Sequence, residues 1–209
     1  MRRLMFLILA SGLLISCAQL MTMAHTSPAK RDVVDNTFTS SYPQLSIKID
    51  SSFDYTGRHD DYKFSPFTSG GESGSGVDFE NYCFNNAAEK KAVEIDIATL
   101  TDSRASWQPD MNKGGSNLLI SDKETKAGVI YQTAVWAQAT RDGKCLLVKR
   151  LGKIVGAKRN CMVQIFYSHE IKPELGDRNQ WRDASLLNSA QRDFLKVFLE
   201  SADQQVEFE

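Results

Sequence analysis

Histidine, cysteine and proline are scarce in this chain, at 3, 4 and 5 among 209 residues. With so few imidazoles and no His-x-x-x-His pair, a metalloprotease-type zinc site is excluded. No Cys-x-x-Cys occurs, which removes the usual redox and zinc-ribbon chemistry. Gly-Lys-Ser/Thr is missing, so no phosphate-cradling loop is present. The nearest approach to a nucleophile elbow is Gly70-Gly71-Glu72-Ser73-Gly74-Ser75-Gly76. It puts Ser75 where a glycine is needed and has no apolar strand to aim Ser73. Charge of one sign is not in excess either: 25 Lys and Arg stand against 26 Asp and Glu. Such balance offers no general attraction to nucleic acid or anionic lipid. No repeat is visible, and nothing in the sequence calls for a cofactor or a metal.

What is present is concentrated at the start. Arg2 and Arg3 precede the uncharged run Leu4 to Ile15, which is shorter than the roughly 20 apolar residues a membrane-crossing helix requires. This is the layout of a secretory signal over residues 1–16. The run ends in Leu14-Ile15-Ser16-Cys17, which resembles the lipobox of bacterial lipoprotein precursors. The resemblance covers residues 1–17 only. It implies cleavage before Cys17, acylation (palmitate-type chains) of that cysteine, and anchoring in the cell envelope. Ala18 follows the cysteine in place of the aspartate that retains such proteins at the inner membrane, so the resemblance implies the outer membrane, facing the periplasm. The competing reading is a secreted protein cut after Ala18, because Ser16 and Ala18 also give a small-x-small pattern.

From Cys17 onward 193 residues remain, with a formal charge of −3 once Arg2 and Arg3 are gone, which is enough chain for one core. Residues 17–43 read as the lipidated cysteine and a flexible tether rich in Ser, Thr and Ala. Residues 44–209 read as a single α+β domain. Three cysteines remain for an oxidising compartment. Cys145 and Cys161 flank Gly152-Lys153, and a hairpin turning there would bring them into disulfide range. Buried free thiols are the alternative.

Leu45, Ile47 and Ile49 alternate with polar residues, which predicts a half-buried strand, and Phe53 and Tyr55 continue in a shifted register that calls for a second strand or a bulge. Residues 68–76 read as a Gly/Ser loop. Residues 79–85 and 91–100 follow as strands, with Val93, Ile95 and Ile97 on a buried face. Residues 101–126 read as a long polar loop. Strands are expected at 128–140, 144–151 and 161–169, the first two joined through Asp142-Gly143. Leu187, Ala190, Phe194, Val197, Phe198 and Ser201 recur at helical spacing, with Asn188 or Ser189 as cap. The expected fold is an antiparallel β-sheet sandwich with a C-terminal helix packed on one face, and the order of elements is similar to PsbP-type sandwiches.

No catalytic residue stands out. His59-Asp60-Asp61 would need a turn to converge on a cation, and Cys161 and His169 lie about 26 Å apart if they share one strand. Trp107 and Trp181 in loops, with Lys149, Arg150 and Lys153 in a basic run, are the candidate contacts for a partner or ligand. Anchoring of the loop tryptophans onto their own core and edge protection by the lysines are the bland readings. Trp136 is expected in the core. The leading expectation is therefore a non-enzymatic, lipid-anchored envelope protein that binds a partner or organises the envelope. The alternative is a small-molecule or glycan-binding periplasmic module with Trp107 as one wall, and a hydrolase built on Ser73 or His59 comes third.

Overall fold

A computed structural model describes residues 29–66, 74–108 and 117–209. The described chain is mostly antiparallel β-sheet with one C-terminal helix. A four-stranded sheet has the order β1 (Arg31–Val34), β2 (Thr37–Ser41), β3 (Gln44–Ile49) and β11 (Val206–Phe208). A seven-stranded sheet runs β4 (Asp54–Pro66), β5 (Gly74–Asn86), β6 (Lys91–Leu100), β10 (Cys161–Glu170), β9 (Cys145–Val155), β8 (Val129–Ala139) and β7 (Ile120–Lys126). The helix α1 spans Ser189–Gln205.

The alternation in the sequence sets the large sheet. Val93, Ile95 and Ile97 of β6 lie opposite Tyr167, Ile165 and Val163 of β10, and all six side chains are buried. They join an apolar cluster with Phe38 of β2, Ile47 and Ile49 of β3, Phe84 of β5 and Phe198 of α1. Helix and sheet also meet through polar atoms: the Tyr167 hydroxyl lies 2.8 Å from Ser201 Oγ and donates to Gln205 Oε1 at 2.7 Å. Asn188 caps α1 in a reciprocal box with Gln191, as its position before an apolar periodic run leads one to expect.

Four expectations are corrected. Residues 31–41, read as tether, form β1 and β2, joined at Asp35-Asn36 with φ of 47° and 58°. That turn closes a two-residue hairpin in which Val34 pairs with Thr37. Within the expected Gly/Ser loop, Gly74–Gly76 belong to β5, while 68–73 lie outside the described residues. A Cβ at Gly76 would displace the Tyr62 hydroxyl and Thr101 Oγ1, which lie against it. The end of the expected loop over 101–126 is β7, paired with β8 along its whole length. Finally, Cys145 and Cys161 are free thiols. The β9–β10 hairpin turns at residues 156–160, not at Gly152, since Val155 pairs with Cys161. Cys145 accordingly sits level with Ile171, whose N–H it accepts at 2.8 Å, about ten residues or roughly 33 Å along the strand from Cys161.

Candidate functional site

The two loop tryptophans are buried against the body of the fold, Trp107 on β5, β6 and β10 and Trp181 on α1. Trp107 is 5 % exposed among Val77, Ala98, Leu100 and Met162, and its Nε1–H donates to the Ala98 carbonyl at 3.3 Å. Trp181 is 1 % exposed, donates to the Leu175 carbonyl at 3.1 Å and meets Phe194 edge-on. An indole must satisfy its N–H when buried, and here a nearby backbone carbonyl does so. Among the described residues, neither ring offers a face to a partner. Trp136, expected in the core, is half-buried with its ring edge to Phe166.

The basic run does not make one ridge, because strand side chains alternate faces. Lys149 points toward α1 and is 3 % exposed, with its ammonium 2.8 Å from Asp203 and 3.0 Å from Glu124. Lys126 bridges the same two carboxylates at 2.8 and 3.4 Å. These ion pairs hold the Asp203 carboxyl below its ordinary range against the upward push of burial. Arg150 takes the opposite face, is 6 % exposed, and burial lowers its pKa. Lys153 is half-buried with its ammonium 5.9 Å from the Tyr131 ring centre. Lys144, Lys158 and Arg159 are the members of the run that reach solvent.

His59, Asp60 and Asp61 lie in mid-strand in β4, so no turn converges them. Asp60 accepts from Arg58 Nε at 2.5 Å, and Asp61 pairs with Lys63 at 3.0 Å. Among the described residues no group of three or more His, Cys, Asp or Glu is placed to hold a metal ion. Cys161 is fully buried, and His169 lies at the other end of β10 with its ring 5.2 Å from Phe194. Burial pushes all three thiols up, and Glu94 and Asp96 add to this at Cys83. Burial also lowers the His169 imidazole. A raised thiol is a poor nucleophile at neutral pH. Ser73 lies outside the described residues.

Two polar constellations were not foreseen. The first is an open groove of about 540 Å³ along β4 and β5, lined by Arg58, Asp60, Asp61, Tyr62, Asp78, Phe79 and Glu80. Glu80 is its hub: it accepts from the Tyr82 hydroxyl at 2.8 Å, pairs with Arg58 at 3.3 Å, and pairs with Arg31 of β1. The Arg31–Glu80 pair ties the small sheet to the large one, and Arg31 also donates to the Tyr42 carbonyl within its own sheet at 2.7 Å. Burial and the Glu80 carboxylate push the Tyr82 phenol far up, so it remains a donor at all physiological pH. The second lies on the sheet face opposite Ile95 and Ile97. Cys83 Sγ donates to Asn81 Oδ1 at 2.5 Å, and Asn81 Nδ2 donates to Asp96 Oδ1 at 2.5 Å. Burial raises the Asp96 carboxyl to about 6, with the Asn81 bond opposing and the Glu94 charge assisting. The sequence did carry a signal for it: Asp96 alternates with Ile95 and Ile97, and Ala98 and Leu100 continue its face as apolar residues, so that face is covered at one end.

A second cleft, of about 290 Å³, is lined by Asn179, Gln180, Arg182, Asp183, Leu186, Asn188 and Gln191. Most of its amide oxygens already accept local hydrogen bonds, as when Gln180 takes the Asp177 N–H at 3.1 Å and Asn188 takes the Gln191 N–H at 2.9 Å. Its spare groups are therefore mainly donors. Among the described residues no helix is long and apolar enough to cross a membrane. Compared with known proteins, the chain matches no protein family, no curated protein and no solved structure.

Proposed function

We propose that this chain is a non-enzymatic lipoprotein of the bacterial cell envelope, held by acyl chains on Cys17 at the outer membrane and presenting its β scaffold to an envelope partner. The observation that carries this reading is the N-terminal pattern Arg2-Arg3, Leu4 to Ile15, Leu14-Ile15-Ser16-Cys17. Each buried methylene of an acyl chain contributes about 0.8 kcal/mol, and more than one chain makes anchoring stable. We read the two sheets and α1 together as an α+β sandwich. The groove along β4 and β5 supports partner binding: its carboxylates Asp60 and Asp78 are exposed, and the Arg31–Glu80 pair beneath fixes its floor. The raised thiols support a binding role over a cysteine-based catalytic one.

The amide-lined cleft beside Asn188 favours a second reading, a glycan-binding module, because amides with Arg182 and Asp183 suit hydroxyl-rich ligands. Intact mass of the protein purified from membranes tests the leading reading. The expected product begins at Cys17 and carries acyl masses. An unmodified terminus at Gln19, or a protein recovered wholly in the aqueous fraction, refutes it.

A further inference from the structure

We infer that the cleft between the two sheets beside the Tyr42-Pro43 turn is a binding site for an alkyl carboxylate, held by the Lys153 ammonium and the Tyr131 hydroxyl. The site belongs to the folded part alone and is independent of any lipid on Cys17.

The cleft has a volume of about 50 Å³. At roughly 10–15 Å³ for one water-sized sphere, that is room for a group of about four heavy atoms. Its apolar lining comes from Leu45 of β3, Val129 of β8, Val155 of β9 and Val163 of β10, so both sheets contribute. Tyr131 and Lys153 line the same space. A small apolar cleft with a few convergent polar groups is the usual form of a small-molecule site.

Strand register puts the two polar groups side by side. Gln132 of β8 is level with Gly152 of β9, so Tyr131 stands across from Lys153 on one sheet face. The Lys153 ammonium lies 5.9 Å from the Tyr131 ring centre. Beyond Tyr131 in the same row comes Glu124 of β7, but its carboxylate is taken by Lys149 at 3.0 Å and Lys126 at 3.4 Å. Those two lysines also share Asp203, so the four charges balance and Lys153 stands outside them. On the other side of the Tyr131 ring is Phe208, and the carboxylate of the next residue, Glu209, accepts from Ser46 Oγ at 2.8 Å. Among the described residues Lys153 therefore has no counter-ion.

Tyr131 is 4 % exposed, and among the described residues its hydroxyl has no hydrogen-bond partner. A buried hydroxyl left unpaired costs free energy, so it favours any acceptor that can reach it. Burial pushes the phenol up, which keeps it protonated and a donor. A carboxylate has an oxygen for each donor, and the ammonium supplies the opposite charge. Inorganic phosphate or sulfate would leave the valine and leucine walls uncovered, and an alkyl ammonium would meet Lys153 with like charge. An alkyl carboxylate satisfies the whole lining.

The test titrates sodium butyrate into the full chain carrying 13C-labelled valine and leucine methyls, followed by NMR. Saturable shifts are expected at Leu45, Val129, Val155 and Val163, while Val197 on α1 stays put. Butyramide, of the same shape without the charge, is expected to bind about tenfold more weakly or worse. Butyrate should lose as much on Lys153→Met, and about three- to tenfold on Tyr131→Phe, which keeps the ring on Phe208. Octanoate separates two sources of the same chemistry. Tighter binding than butyrate assigns the site to the end of a longer chain, and weaker binding assigns it to a free small acid. No saturable shift at these methyls, or butyramide bound as tightly as butyrate, overturns the inference on the parent chain alone. Unchanged affinity in both variants overturns the roles of Lys153 and Tyr131. None of these outcomes turns on acylation at Cys17, which the mass measurement decides separately.

Discussion

Replacing Asp96 by Asn isolates the cost of a buried carboxylate whose surroundings are otherwise satisfied. Asp96 is 9 % exposed on β6, and burial raises its carboxyl from the ordinary value of 3.8 to about 6. Because the folded protein holds this proton more tightly than the unfolded chain, the contribution to stability is complete below about pH 4. It is then lost as pH rises through about 6. A displacement of about two pH units at 1.36 kcal/mol each amounts to roughly 3 kcal/mol withheld at pH 8. Asparagine keeps an oxygen to accept the Asn81 Nδ2–H and carries no charge to desolvate. Asp96→Asn is therefore expected to be about 2–3 kcal/mol more stable than the parent at pH 8 and equal to it at pH 4. For a chain of this size that is a rise in Tm of about 6–10 °C at the higher pH. Urea and thermal unfolding followed by circular dichroism at pH 4, 6 and 8 measure both. A stability difference independent of pH, or an Asn variant weaker than the parent at pH 8, refutes the desolvation argument.

Lys149→Met removes a buried ammonium from between Glu124 and Asp203 and is expected to cost about 2 kcal/mol in urea unfolding, since both carboxylates keep Lys126. The Asp203 carboxyl is held low in the folded state, so its support is present above about pH 4 and fades as acid titrates it; the Met variant should show a shallower loss toward low pH. Gly156→Ala forces a side chain onto φ of 89° and against the Tyr42 hydroxyl, with an expected loss of about 1–3 kcal/mol. Alkylation of the unfolded protein without reductant should add three adducts, at Cys83, Cys145 and Cys161; in the folded protein Cys161 should react last, and all three faster as pH rises. Two adducts fewer would mean a disulfide that the strand register forbids.

Much of the large sheet was legible because its strands obey a simple alternation. Val93, Ile95 and Ile97 declare their face without help from context, Asp142-Gly143 marks the β8–β9 hairpin, and Asn188 with Gln191 marks the start of α1. Where the pattern was thin the reading failed. β1 and β2 bury only Phe38 and Ser40 among nine residues, so their sequence looks like tether, and their turn uses Asp35-Asn36 rather than a glycine. Gly152 has the composition of a turn but sits in β9 opposite Gln164, while the turn belongs to Gly156 four residues on. That shift alone carried the expected disulfide away.

The polar constellations depend on a different kind of information. Glu80 meets Arg31 across 49 positions, Lys149 meets Asp203 across 54, and Asn81 meets Asp96 across 15. Each pairing follows from strand register or from how α1 lies against β9, and no local window contains it. Residue type alone misleads in the same way. Lys149 and Arg150 read as one basic surface, yet the two-residue period sends them to opposite faces and into burial. Trp107 and Trp181 stand out as candidate contacts, yet each is buried with its indole N–H on a backbone carbonyl, Ala98 of β6 and Leu175 respectively. Exposed aromatic surface sits instead on Tyr62 and Phe64, in an edge strand dense with charge. Arg58–Asp60 and Asp61–Lys63 neutralise each other along this strand, with Tyr62 between Asp61 and Lys63 and Phe64 directly after them, so ring and charge alternate on one edge.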